Sequence, residues 1–418
     1  MPNITRAATV SGVVAVMLAV AGCGGGSSFD DKAGSGSGSE QKGGKASLEV
    51  LIASSGDAET KFVTDTANAW AEKTGNKVEV IVAQDIAQQL SQGFAGGNPP
   101  DVFYVDAGRF ADLASAGSLE PYAEQVADND DFYQSLRQTF TFEGEQYCVP
   151  KDFSTLALQI RTDAFDAAGL TEADVPTTWD ELATVAEKLT TGKQTGLVIG
   201  DTRDRIGAFM VQNGGWVLNE DASEVTADSA ENAEALAYVK EQLAAGSFQY
   251  PSQVDAGWGG EAFGTAKAAM TIEGNWIRGA MKNDYPDVDY SVHELPEGSA
   301  GKGTLLFTQC YGVAAASEFK EQSVSLVEAL TTVDAQIAAA DAFGVMPSRQ
   351  SAKDAYVEKY PADAPFVAGG DYGQGPVNAP GMESVLADFD SGLQQLEQQE
   401  PSKILTSLQG NAEAALLG

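Results

Sequence analysis

Short apolar runs alternate along the chain with longer stretches whose apolar residues recur every three or four positions. The run LEVLIA (48–53) has the length and composition of a buried strand. In SSGDAETKFVTDTANAWAEKTG (54–75), Phe62, Thr66, Ala69 and Trp70 share one helical face and Gly75 ends the helix. KVEVIVA (77–83) alternates as a strand, IAQQLSQGFAGG (86–97) repeats at helical spacing, and PPDVFYVD (99–106) is a third strand before the helix RFADLASAG (109–117). Strand and helix in strict alternation predict a parallel sheet covered by helices.

The pattern resumes beyond Cys148. TLALQIRTD (155–163) reads as a strand, and TTWDELATVAEKLTT (177–191) as a helix opened by a capping box of Thr178 with Glu181. TGLVIG (195–200) is a buried strand, helices are expected over 228–245 and 275–282, and strands over 268–272 and 290–293. LLFTQCYGVAAAS (305–317) continues the α/β character, and the remainder is mostly helical. No internal repeat occurs. At 418 residues the chain exceeds what one compact core usually holds, so two lobes are expected.

The first residues change the compartment. One charge at Arg6 precedes the apolar run VVAVMLAVAG (13–22), too short to span a bilayer, which reads as an export signal. The run closes on VAGC (20–23), and GGGSSFDDKAGSGSGSEQKGGK (24–45) behaves as a flexible tether. Two cysteines besides Cys23 remain, Cys148 and Cys310, an even pair in an exported chain. A disulfide suits that compartment, with two separate buried thiols as the alternative.

The charge excludes some partners. With 25 Lys and Arg against 60 Asp and Glu, the formal charge of −35 repels nucleic acid and anionic membrane surfaces. The acidic block DNDD (128–131) lacks the ligand spacing of an EF-hand and reads as a solvated face, so no metal site is expected. No cofactor motif appears: there is no P-loop and no G-x-S-x-G elbow, and one histidine, His293, rules out H-E-x-x-H. His293 sits in the alternating run DYSVHELP (289–296), as a structural imidazole would. A glycosidase pair among the 60 acids stays open, because carboxylate separation is invisible in sequence.

Several segments in order carry a resemblance: the VAGC lipobox, NPPDVFYVD, YCVPKDFSTLALQIRTDAFDAAGL with VPTTWDEL, NGGW, and AFGTAKAAMTIEGNWI. Over 48–418 the chain resembles the extracellular solute-binding proteins of ABC importers, of the carbohydrate-binding, maltose-binding protein-like type. The resemblance implies a two-lobed α/β fold closing on its ligand about a hinge of crossing strands, and no enzymatic activity. It implies a signal peptide at 1–22, a lipidated Cys23 with its tether at 23–46, a first lobe of 47–153 plus 309–346, and a second of 154–308 plus 347–418. The crossings fall near 152–156, 306–311 and 346–348, close to Cys148 and Cys310. The expected partners are a carbohydrate and an ABC permease; the expected state is a monomer, lipid-anchored on the extracellular face of the membrane. A polyamine, glycerol phosphate or metal complex is the alternative ligand class, and an exported carbohydrate-active hydrolase the alternative activity.

Sugar rings expose C–H faces to aromatic side chains and hydroxyls to planar polar ones. In AAMTIEGNWIRGAM (268–281), Trp276 stands on a glycine corner beside Glu273 and Asn275 and suits a cleft; core packing, as expected for Trp70 and Trp179, is the other reading. Loops after the first three strands offer Ser54, Ser55 and Asp57, then Gln84, then Asp106 and Arg109, at the edge where ligands gather in open α/β sheets. Ser54 or Ser55 could equally cap a helix, with Asp57 in its first turn. Lys151 and Asp152 fall at the first crossing, Gln309 and Tyr311 at the second. Arg203, Asp204 and Arg205, glycine-flanked Trp258 and the late-loop Tyr372 complete the ligand-binding candidates.

Overall fold

The computed structural model describes residues 45–219 and 221–417. The export segment, Cys23 and the tether up to residue 44 lie outside the described residues. Ala46, where the expected tether ends, is packed, its N–H donating to Asn76 Oδ1 at 3.0 Å and its carbonyl accepting from Lys77 N.

Eleven strands are described: β1 (Ser47–Ile52), β2 (Lys77–Val82), β3 (Val102–Asp106), β4 (Thr141–Phe142), β5 (Glu145–Gln146), β6 (Pro150–Arg161), β7 (Thr195–Val198), β8 (Phe248–Gln249), β9 (Ala268–Gly274), β10 (Tyr290–His293) and β11 (Leu306–Val313). All but the small β4–β5 hairpin form one sheet in the order β2-β1-β3-β11-β6-β9-β7-β8, with β10 also on β6. β1 pairs in parallel with β2 and β3, as strand–helix alternation predicts. The sheet is nevertheless mixed, because β11 runs antiparallel to both β3 and β6, and β6 antiparallel to β9. Pairing across some 200 residues of chain is set by tertiary packing, so local periodicity carries no trace of it.

The twelve residues of β6 carry the chain from one half of the sheet to the other. Thr155 and the residues before it pair with β11, while Leu156 to Ile160 pair with β9. Met346 adds a bridge to Phe153. Cys148 and Cys310 form a disulfide with Cα atoms 5.9 Å apart, where the chain enters β6.

The Asp57–Thr74 helix ends at Gly75, which takes a left-handed φ of 77° and donates its N–H to Ala71 O at 2.8 Å. Its buried face is Val63, Ala67, Trp70 and Ala71, while Ala69 is exposed. The expected face is thus turned slightly, because helices from late in the chain cover it: Trp70 Nε1 donates to Ser325 Oγ at 3.1 Å, and Phe62 meets Phe343 with centroids 5.8 Å apart. Thr178 and Glu181 form the expected capping box on the Trp179–Leu189 helix.

Three main cores fill the molecule. One gathers Ala46 through Val149 with Cys310 through Leu330, and another gathers Leu156 through Leu305 with Val377 through Ala412. A third joins Tyr133, Phe153, Phe263, Ile277, Leu306, Met346 and Phe366. No helix among the described residues is long and apolar enough to cross a membrane.

Candidate functional site

Register places one row of side chains on a single face, because directly opposed residues of antiparallel strands project together. Gln309 opposes Asp106 on β3 and Asp152 on β6, and Phe307 opposes Ser154. Polar and aromatic groups thus line the middle of the sheet, where β6 changes partners.

At one end of this row Lys151 is buried, its side chain only 7% exposed. Its ammonium pairs with Asp152 and lies 3.1 Å from Glu59 Oε1, 4.8 Å from the Tyr104 ring centroid and 5.7 Å from that of Phe343. Glu59 also accepts from Tyr104 OH at 2.9 Å and, on its other oxygen, from Ser55 N and Oγ at 2.7 Å each. Burial works to raise the Glu59 pKa, but Lys151 and the two Ser55 bonds prevail and hold it below the usual carboxylate value. For Asp152 burial prevails over Lys151, and the carboxyl sits above its ordinary value. Burial also opposes the charge on Lys151, yet Asp152 and Glu59 together hold its pKa well up. The trio carries one net negative charge.

At the other end, Trp276 is 37% exposed, one of few large apolar side chains so open. Its indole packs over Gly274, where any Cβ would collide with the ring. Its Nε1 donates to Glu273 Oε2 at 3.0 Å, and Arg205 Nη2 donates to the same oxygen at 2.6 Å. The guanidinium carbon lies 5.0 Å from the indole centroid and 5.9 Å from that of Phe307, which meets Trp276 edge-on at 5.3 Å. Arg205 Nε is buried without a partner. The corner therefore offers an aromatic surface, a neutralised Arg–Glu pair and an unused donor.

A polar chain joins the two ends. Asn275 is buried; its Oδ1 accepts from Ser154 Oγ at 2.6 Å and its Nδ2 donates to Gly344 O at 2.9 Å. Arg278 Nη2 donates to the same carbonyl at 3.2 Å and its Nη1 pairs with Asp363. Gly344 follows Phe343, whose ring lies by Lys151, so the segment touches both clusters.

The remaining candidates fall in several places. Ser55 holds Glu59 without capping the helix, and Asp57 is exposed in the first helical turn. Gln84 is exposed beyond β2; Asp106 caps the Ala107–Ser115 helix through Gly108 N at 2.9 Å; Arg109 is half-buried on that helix. Tyr311 is buried edge-on to Tyr104, at 5.4 Å. Arg203 turns away to bind Asp390 and Leu386 O, with Asp204 exposed beside it, so Arg205 is the arginine at the indole. Trp258 folds over Gly260 and packs partly on the third core, contrary to what its glycine neighbours suggest. Tyr372 donates to Glu294 Oε2 at 2.8 Å. Trp70 is buried as expected, and Trp179 is half-buried, packed against the core and stacking on Tyr238 at 4.6 Å.

Sequence reading missed Glu59, Tyr104, Ser154, Phe307 and Phe343. Glu59 stands three residues after Gly56, where a capping box would need Ser or Thr, so no capping signal marked it; the aromatics look like any strand or helix hydrophobe.

Among the described residues, the charged groups at each end of the row are paired with one another. Its buried carboxylates are taken up by Lys151, Arg205, Ser55, Tyr104 and Trp276. His293 Nε2 lies 2.7 Å from Ser291 Oγ, but Glu172 is 3.9 Å from the ring and 83% exposed, so it does not orient the imidazole. A cavity of about 1060 Å³ lies apart from this row, between Glu124, Asp128, Arg137, Glu328 and Arg349. The row is the stronger site because it sets the open Trp276 ring beside charge-paired polar groups, with Arg205 Nε unpartnered; the cavity also holds an unpartnered atom, Asn129 Oδ1, but no open aromatic face, and its Arg349 is already bonded to Thr331 O and Asp128 O.

Residues 65–366 match the family of bacterial extracellular solute-binding proteins. The chain belongs to this family. Among curated proteins, the diacetylchitobiose binding protein DasA of Streptomyces coelicolor is 24% identical over 353 residues, 81% of each chain. The cyclic alpha-maltosyl-1,6-maltose binding protein from Arthrobacter globiformis superposes with a TM-score of 0.80 at 21% identity, covering 89% of this chain and 99% of that one. A cyclo/maltodextrin-binding protein complexed with maltotetraose gives 0.78 at 19% identity, covering 90% and 98%. The two-lobed solute-binding fold follows from these superpositions.

Proposed function

We propose that this protein captures a mono- or oligosaccharide between its two lobes and delivers it to an ABC permease, performing no reaction itself. The observation that carries this reading is the open Trp276 ring, set among Glu273, Arg205 and Phe307 at one end of a row that ends in Asp152 and Lys151. An apolar face with paired polar groups matches a ring that has C–H and hydroxyl surfaces. The similar proteins named above, binding proteins for diacetylchitobiose, cyclic alpha-maltosyl-1,6-maltose and cyclo/maltodextrin, support the same class.

The lobes would be 47–153 plus 309–346 and 154–308 plus 347–418. Two of the cores respect this division and the third straddles it, which suits a hinge at β6, β11 and Met346. Ligand would shift the open–closed equilibrium through contacts made only when both lobes grip it. In this reading residues 1–22 are a signal peptide, and a lipidated Cys23 with its tether holds a monomer at the extracellular face of the membrane.

Isothermal titration against a saccharide panel, with tryptophan fluorescence alongside, tests the proposal. Saturable heat and a fluorescence change with at least one sugar are expected. A response only to polyamines or glycerol phosphate would replace the ligand class, and a new reducing end from incubated glycans would replace binding by hydrolysis.

A further inference from the structure

β6 and β11 keep regular register from Leu306↔Thr155 to Gln309↔Asp152, but the next residue of β11, Cys310, faces Pro150. Lys151 is thus an extra residue with no partner on β11, a β-bulge. In a regular strand, neighbouring side chains point to opposite faces, which would part Lys151 from Asp152. Here the Lys151 ammonium pairs with both Asp152 and Glu59, so the bulge has turned it onto the row of candidate ligand groups.

Two ties hold that step. Cys310 is the β11 residue next to the bulge, and its disulfide partner Cys148 lies two residues before Pro150; both cysteines are buried. Tyr122 provides the second tie: its hydroxyl donates to Tyr311 O at 2.5 Å and accepts from Val149 N at 3.4 Å. Both ties fix the 310–311 step of β11 against residues 148–149, the offset that an extra residue at 151 requires.

We propose that the Cys148–Cys310 disulfide is a positioning element for the ligand site, clamping the bulge that turns Lys151 onto Asp152 and Glu59. The proposal rests on the reading of Asp152 as a ligand contact. Without the clamp the offset relaxes, Lys151 leaves the row, and the two buried carboxylates lose their shared cation. Asp152 is then moved and its charge unbalanced, although neither cysteine touches the ligand.

The test compares the full-length protein with Cys148→Ala/Cys310→Ala, and with Cys148→Val/Cys310→Val should the alanine pair not fold. Lysine acylation is mapped by mass spectrometry, with exposed Lys61 as internal standard. Lys151 is expected to react about tenfold faster in the variant at unchanged far-UV circular dichroism. Affinity for a sugar bound by the native protein is expected to fall about tenfold, the scale on which supporting partners act on a site. Tyr122→Phe, which keeps the disulfide, should leave Lys151 protected. Lys151 staying protected in the disulfide-free protein overturns the proposal, even if affinity falls. If the native protein binds no sugar, the functional reading fails, while the labelling still decides whether the disulfide sets the bulge.

Discussion

Replacing Lys151 with methionine separates its charge from its bulk. The methionine stem keeps the packing against Tyr104 and Phe343, while Glu59 and Asp152 lose the cation they share. Removing one partner of a buried pair costs about 3–5 kcal/mol, because a charge is left uncompensated. At roughly 2–4 °C per kcal/mol for a domain of this class, the melting temperature at neutral pH should fall by about 6–20 °C. Protonation limits that cost, and the direction follows from the shifts. Asp152 already stands above its ordinary value through burial, and losing Lys151 raises it further. A group raised in the folded state adds stability below its unfolded pKa and loses it as pH rises through the folded one. The variant's deficit should therefore be small near pH ~4 and grow toward neutrality. In the native protein Glu59 has the opposite sign: its lowered pKa stabilises at neutral pH, and that contribution fades as acid protonates it. Thermal unfolding of both proteins by circular dichroism, from about pH 4.5 to about pH 7.5, measures the difference. A loss below about 2 °C at the upper pH, or a larger loss at the lower one, would refute the ion-pair reasoning.

Trp276→Ala should weaken sugar binding by about tenfold to hundredfold, with Trp276→Phe retaining part of the affinity; equal titration curves for all three proteins would make the indole a bystander. Gly259→Ala would place a Cβ 2.6 Å from both Glu273 Oε1 and Thr271 Oγ1, displacing the carboxylate that holds Trp276. A loss of about 1–3 kcal/mol in urea unfolding is expected, and an unchanged midpoint would mean that the helix start yields freely. Gly196→Ala would drive a Cβ into the backbone carbonyl of Ala186, which cannot swing aside as a side chain would, so soluble yield should collapse; normal expression would contradict that packing.

Legibility differed from residue to residue. β10 and the capping box of Thr178 and Glu181 lay where periodicity and local chemistry put them, because both depend on neighbours in sequence. Trp276, Glu273, Asn275, Lys151 and Asp152 were legible as candidates from residue type at a glycine corner or a crossing. Choosing Arg205 over Arg203 was not, because only the packing of the C-terminal half supplies Asp390 to take the other arginine. Trp258 misled because a glycine beside a tryptophan can mark a loop or, as at Gly260, the bare backbone on which the ring lies.

The sequence by itself determined the compositional class, the alternation of strands and helices, and the stock of groups from which a site could be built, since these depend on residue type and short-range spacing. Tertiary structure alone decided that β11 and β6 run antiparallel with Lys151 as an extra residue between them, and that the disulfide sits on that offset. Such register depends on strands more than 150 residues apart, and the energy that selects it comes from burial and pairing across the sheet, which no local window of sequence contains.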